Sequence, residues 1–395
     1  MKKLWLLFVC FVIAACGVQA PVPSHDKLAQ VQQPLVTCPT PSALATSLLT
    51  ATQASTLSLG GTDPTQCPQV SMTETWAGGK LVFSDSPESP SAKARLYDDA
   101  TLGATSGTTY NRVFVYHVNG QSGNTRMKWT VLIKNLGTSS ATLTVQQKGT
   151  AGPTTAYAYG GKLAFQRWLN STAGTGVTVA AGAYARLDST FDATTAAPTY
   201  LMHGIWDYSM TQPHEVIVCA LNQNDDPINV CPGLSLASRD SHVRGTFPNA
   251  DKIYDTAAGV TIDTASGIQA LPLASGTAND SWAVGTDVTD GSSQTLGGNY
   301  GIKYRMHMST VASDGQNLAW LYNPRGGAWG GSVNALVGLL PGGIFLLPPG
   351  TGMDSDNTTG VVEGEYSPGT GLTTWVQFMP TGGSSFPLQY VAVPY

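Results

Sequence analysis

The sequence predicts an all-β protein built as two antiparallel sandwiches of Greek-key type. Three observations carry that expectation. From Lys80 onward, short runs of β-branched and aromatic residues are separated by Gly, Pro, Asn or Ser, and helical periodicity is sparse. The 395 residues include 44 Gly and 24 Pro, and no A/E/K/L/R-rich stretch exists from which long helices or coiled coils could be built. Charged residues make up 11% of the chain against 42% hydrophobic, so Thr, Ser, Asn and Gln must supply most of the polar surface. The length suits two to three domains. A formal charge of -5 gives no basic field for a phosphate backbone, which argues against nucleic acid as a partner.

At the amino terminus, Lys2 and Lys3 precede an apolar run from Leu4 to Ala15, too short for a permanent membrane span and suited to an export signal. The run ends in Ile13-Ala14-Ala15-Cys16-Gly17, which resembles the lipobox of bacterial lipoproteins. That resemblance implies that residues 1–15 are removed as a signal peptide and that Cys16 becomes the first residue of the mature chain, with lipid on its sulfur. Several acyl chains together make a stable anchor. An ordinary signal peptide with a chance cysteine is the plainer alternative. No second apolar span follows in the sequence, so the remainder is expected as a tethered soluble body on the outer face of a membrane. Gly17 is not the Asp that retains many enterobacterial lipoproteins at the inner membrane, which leaves the leaflet open. Residues 16–75 read as a lipidated tether and a disulfide-stapled N-terminal segment. Pro21, Pro23 and Pro34 punctuate the tether, disorder is expected to about residue 37, and one short helix within 40–59.

Cysteine usage agrees with export. Cys10 leaves with the signal and Cys16 carries lipid, leaving Cys38, Cys67, Cys219 and Cys231 for an oxidising compartment. Of the three pairings, Cys38 with Cys67 and Cys219 with Cys231 are favoured, because each closes a local loop rich in turn formers. A zinc site is the rival, and it lacks C-x2-C spacing.

The body is expected to divide near residue 240 into sandwiches over 76–240 and 241–395. Residues 112–118 and 127–134 flank a turn over 119–124 and read as a hairpin. The segment 135–145 is a turn feeding an alternating strand and resembles immunoglobulin-like modules of bacterial surface proteins, which implies an immunoglobulin-like sandwich. Residues 176–182 and 184–187 repeat the strand–turn–strand theme, and 162–169 suggest a helical turn or two. In the second half, 297–308, 318–327, 373–379 and 388–393 are strand-like. Gly298-Asn299-Tyr300-Gly301 together with Asn323-Pro324-Arg325-Gly326-Gly327 resembles a group of uncharacterised exported bacterial proteins, some joined to copper-amine-oxidase-type N-terminal modules. The resemblance implies export and carries no activity.

Catalytic motifs are sparse: the sequence has no G-x-S-x-G elbow, H-E-x-x-H, P-loop or G-x-G-x-x-G opening a helix, so a hydrolase would need dispersed residues. Copper is the sharper possibility, because thioethers and imidazoles suit it. Met202, His203, Met210 and His214 lie close in sequence, and Met306-His307-Met308 forms a second cluster. On a strand Met306 and Met308 would share one face and His307 the other. With His117 and His242 the body holds five histidines, and His25 lies in the tether. A copper centre of the superoxide dismutase type is thereby an alternative, although Val118 and Asn119 follow His117 where that family has His-x-His. The plainer reading makes Met a core filler and His a satisfied hydrogen-bonding side chain.

Asp354, Asp356, Thr358 and Glu365 match oxygen positions of an EF-hand-like loop, but Thr359 stands where the turn needs Gly, and a solvated turn is the default. Asp225 and Asp226 are ambiguous. Arg325 either binds an anion or pins its turn. Trp206, Trp320 and Trp329, beside Gly-rich turns, either stack on sugars or pack the core. The sequence therefore points first to an envelope-anchored lipoprotein acting as a scaffold or interaction component of the wall or a surface-layer assembly. Its partners would be the membrane, through the anchor, envelope or surface-layer proteins, and wall glycans. A copper-binding redox protein is the second reading and a glycan-binding module the third; no catalytic residue is assigned.

Overall fold

The computed structural model describes residues 38, 42–60, 63–105, 108–336, 343–348, 350, 352–355 and 358–395. The signal, Cys16, His25 and the tether lie outside them. The expected all-β architecture is what the described residues form, in four main sheets. Strands Asn111–Val118 and Leu201–Met210 are buried along nearly their whole length, which requires a layer on either face. Val113 and Val115 face one core, with Trp206 and Met202; Phe114 and Tyr116 face another, with Leu201 and Ile205. Period-2 alternation thus sorts one strand's side chains between two cores.

These strands are central in an eight-stranded sheet, ordered 292–296, 283–287, 244–247, 81–84, 111–118, 201–210, 141–154 and 177–179. Its Val113 face packs against a four-stranded sheet, ordered 94–102, 214–222, 127–135 and 184–186, which contributes Tyr97, Trp129, Val131 and Val218. Its Phe114 face meets the helix Tyr157–Asn170 and two further sheets. One is seven-stranded, running 72–77, 251–256, 303–311, 372–378, 331–336 and 343–347, with 262–263 pairing to 303–311. The other is five-stranded, ordered 56–58, 359–366, 318–324, 388–394 and 269–273. Tyr304, Met306, Val376 and Phe378 from the former meet Trp320, Tyr322 and Tyr390 from the latter.

Two expectations need correcting. The runs around 112–118 and 127–134 form no hairpin: they lie in different sheets and cross from one layer to the other at Asn119. The Asn119 amide holds that crossing by donating to the carbonyls of Thr125 and Ala196, both at 2.9 Å. Residues 177–179 and 184–186 are likewise split between the same two sheets. The boundary near 240 does not separate the sheets either. Arg244–Phe247 pairs antiparallel with Leu81–Ser84, Asp251–Thr256 pairs with Met72–Ala77, and Val36–Tyr395 is one compact unit.

A buried ionic knot reinforces this continuity. Arg112, 1% exposed, grips Asp207 through Nε at 2.6 Å and Nη2 at 2.9 Å, and reaches Asp251 at 3.2 Å. Its Nη1 donates to the carbonyls of Ala250 and Gly301, so a residue before the expected boundary holds strand entrances after it. Burial works to raise the Asp251 pKa, yet Arg112, Lys303 and Arg305 hold it below the ordinary carboxylate value.

Helical elements are few. Ser42–Leu48 lies inside the expected 40–59 segment and buries Leu44 and Leu48, one turn apart, against Leu321, Val362 and Val391. Cys38–Cys67 staples this segment to the body and Cys219–Cys231 closes the second local loop, both as read from the sequence. Tyr157–Asn170 extends well beyond the turn or two expected at 162–169. Ala164, Phe165 and Trp168 form its buried side, and Gly149 on the sheet beneath lets the helix backbone approach.

Candidate functional site

The five body histidines do not form one centre. His117 stands opposite Met202, and His203 opposite Tyr116, so the two imidazoles project from opposite faces of one sheet. His117 is fully buried; Nδ1–H donates to the Pro87 carbonyl at 2.9 Å and Nε2 accepts the Ser84 hydroxyl at 2.9 Å. His203 donates from Nδ1 to the Val115 carbonyl at 2.7 Å. Burial lowers both to about 4, which keeps them neutral. His214 contacts the Tyr208 hydroxyl at 2.9 Å and the Gln212 carbonyl at 3.1 Å, and burial lowers it too.

His242 occupies the same corner as His117 but in the opposite state. Its Nδ1 lies 3.1 Å from Asp240 and its Nε2 3.5 Å from Glu88. The hydrogen bond to Asp240 raises it to about 9 against the opposing effect of burial. Asp240 also accepts from the Ser86 hydroxyl and the Glu88 amide, so the imidazolium closes a clamp between residues 86–88 and 240–242. A protonated ring is no metal ligand. Among the described residues, no three His, Cys, Asp or Glu side chains are grouped as ligands of an ion. The four cysteines are joined in disulfides, which removes the thiolates a zinc site would need.

Other sequence candidates take structural places. Trp206, Trp320 and Trp329 are each fully buried, so they pack. Arg325 donates to Asp63 at 2.8 Å and Asn323 at 3.1 Å, pinning its turn to the N-terminal segment. Asp226 caps the helix Pro227–Val230 and pairs with Arg186, and Asp225 pairs with Lys93. Glu365 accepts from the Tyr395 hydroxyl at 2.9 Å, while Asp356 lies outside the described residues. Met306 and Met308 are buried, and His307 takes the other face as expected.

That outer face, on the seven-stranded sheet, is the best candidate surface. Strand Lys303–Val311 turns Tyr304, Met306 and Met308 into the core and Arg305, His307 and Ser309 outward. Strand Leu372–Phe378 turns Thr374, Val376 and Phe378 inward and Thr373, Trp375 and Gln377 outward. Register then sets the neighbours. Trp375 stands opposite His307, Thr373 opposite Ser309, and Gln377 between Arg305 and Asn334.

The ionisable groups on this face contact one another. His307 Nδ1 lies 2.8 Å from Asp255 Oδ1, and the two side chains are 39% and 41% exposed. Arg305 donates to Asp251 at 2.7 Å. Asn334 donates to the Gln377 carbonyl oxygen at 3.3 Å, orienting both amides. The helix covers one end, where Ser332 donates to the Lys162 carbonyl at 2.9 Å. At the other end Ser309 and Thr373 border a shallow, open groove lined also by Thr261, Thr310, Val311, Thr370, Gly371 and Leu372. The sequence reading missed Trp375. Its signal was an aromatic on the polar side of an alternating strand, between Thr373 and Gln377.

No protein-family model matches the chain, and no curated protein matches it significantly.

Proposed function

We propose that the protein is a lipid-anchored component of the bacterial cell envelope that works by binding, as a scaffold or interaction module of the wall or a surface assembly. The observation that carries this reading is the open face around Trp375. It sets a partly exposed tryptophan among the hydrogen-bonding side chains of His307, Gln377, Asn334, Thr373 and Ser309, with Arg305 held by Asp251. Such a surface suits recognition, because conformationally fixed polar groups bind without a large ordering cost. The lipobox-like segment at Cys16 and the two disulfides support a location outside the cytoplasm. The Cys38–Cys67 bond supports a body held firmly where the chain from Cys16 joins it.

Cell fractionation with Cys16→Ser tests the anchor. The wild-type protein is expected in the membrane fraction, and the variant in the soluble or secreted fraction. Equal partition of the two into the soluble fraction would count against the proposal.

A further inference from the structure

We propose that the outer face of the seven-stranded sheet binds a neutral, unbranched glycan. In this site Trp375 receives the apolar face of a pyranose ring, and Gln377, Asn334, His307, Thr373 and Ser309 hydrogen-bond its hydroxyls. The inference rests on the envelope-interaction reading above and names the ligand class for it.

A pyranose ring is amphipathic: one face presents C–H groups and the rim presents hydroxyls that both donate and accept. Its binding site must therefore combine an aromatic plane with side chains of both hydrogen-bonding senses, placed around that plane. Trp375 supplies the plane. Gln377 and Asn334 each carry an acceptor and donors, Thr373 and Ser309 do both through one hydroxyl, and His307, its Nδ1 against Asp255, keeps Nε2 for a ligand hydroxyl. Neighbouring strands lie about 4.8 Å apart and alternate residues on one strand about 6.8 Å apart. The cross-strand pairs Trp375–His307 and Thr373–Ser309 are therefore one sugar ring's reach from each other.

Charge decides against an ionic ligand. Asp255 lies against His307, and Asp251 is held by Arg112, Lys303 and Arg305 together, so an ionic ligand would compete with contacts the face already makes. Position decides against strand addition. Trp375 lies on a strand paired on both sides, with 303–311 and with 331–336, so its backbone is satisfied and recognition must come from side chains. The groove beyond Ser309 and Thr373 extends the surface. It is wide open to solvent, and Thr261 and Thr370 add hydroxyls along it beside the apolar Val311 and Leu372.

The test is titration of the detergent-solubilised full-length protein with chitohexaose, cellohexaose and maltohexaose, read by calorimetry and tryptophan fluorescence. At least one hexasaccharide is expected to bind with a Kd below about 1 mM, and which one it is separates wall-type from other glycans. Trp375→Ala is expected to weaken that binding at least tenfold, and Thr373→Arg, which crowds the mouth of the groove while keeping the indole, to weaken it as well. Trp282→Ala removes an indole that is 41% exposed elsewhere and is expected to change nothing. Near-ultraviolet circular dichroism checks the fold of each variant, and Thr373→Arg decides the matter if Trp375→Ala unfolds. The proposal is overturned if no hexasaccharide binds the wild type, or if folded variants bind as tightly as it does. Capture of an envelope protein on this face without any hexasaccharide binding also overturns it. Binding in solution is read without lipid or membrane, so its failure and failure of the anchored reading are separate results.

Discussion

Glu363 is the clearest case of a residue whose chemistry follows from where the fold puts it. It is fully buried between Tyr390, whose hydroxyl donates to it, and Tyr322. Burial raises its carboxyl to about 8 from an ordinary 4.5, with the two hydroxyls offsetting part of the shift, so the neutral acid is the folded form at pH 7. The unfolded chain releases this proton near 4.5 while the folded protein keeps it. The stability Glu363 contributes is therefore full below pH 4.5 and is lost as pH rises to about 8. Each pH unit traversed is worth at most about 1.4 kcal/mol. Glu363→Gln, which keeps the shape and a hydrogen-bonding end, is expected to lose visibly less stability than the wild type between pH 5 and 8 in urea titrations. Parallel curves for the two proteins would contradict this. Nothing in the local sequence announced this acid, because its burial depends on strands 318–324 and 388–394 arriving from elsewhere. The same holds for the tryptophans: nearby glycines drew attention to Trp320 and Trp329, which are buried, while Trp375, set on the outer side by strand parity, went unnoticed.

At the scale of elements, strand existence was legible and strand pairing was not. The alternation that put Met306 and Met308 opposite His307 is a local property and was read correctly. Whether two successive strands pair or cross between layers depends on what covers each face. A run buried on both faces such as Asn111–Val118 carries no polar–apolar alternation to tell a hairpin from a crossing. The helix Tyr157–Asn170 shows how much such packing matters. A Cβ at Gly149 would run into the Ala164 carbonyl and the Trp168 backbone where the helix rests on the sheet. Gly149→Ala is therefore expected to cost about 1–3 kcal/mol through overpacking, measured by the urea midpoint. An unchanged midpoint would show that the helix rides further from the sheet than the structure has it.

Over the whole molecule, composition and turn density sufficed for the all-β class, and cysteine spacing for both disulfides, since each bond spans a short local loop. The division at 240 failed because it was drawn from a loosening of pattern along the chain, while long-range ladders such as 81–84 with 244–247 leave no mark on either strand alone. The architecture leaves part of one face of the seven-stranded sheet accessible and buries both faces of the central strands of the eight-stranded sheet, and the functional account depends on that asymmetry. It is tested most directly in living cells by a photo-activated cross-linking side chain at Thr373, beside Trp375, compared with one at Thr138, an exposed turn residue between strands 127–135 and 141–154. The account predicts that Thr373 joins the protein to envelope material and Thr138 does so weakly or not at all. Equal cross-linking at both positions, or none at Thr373, would contradict it.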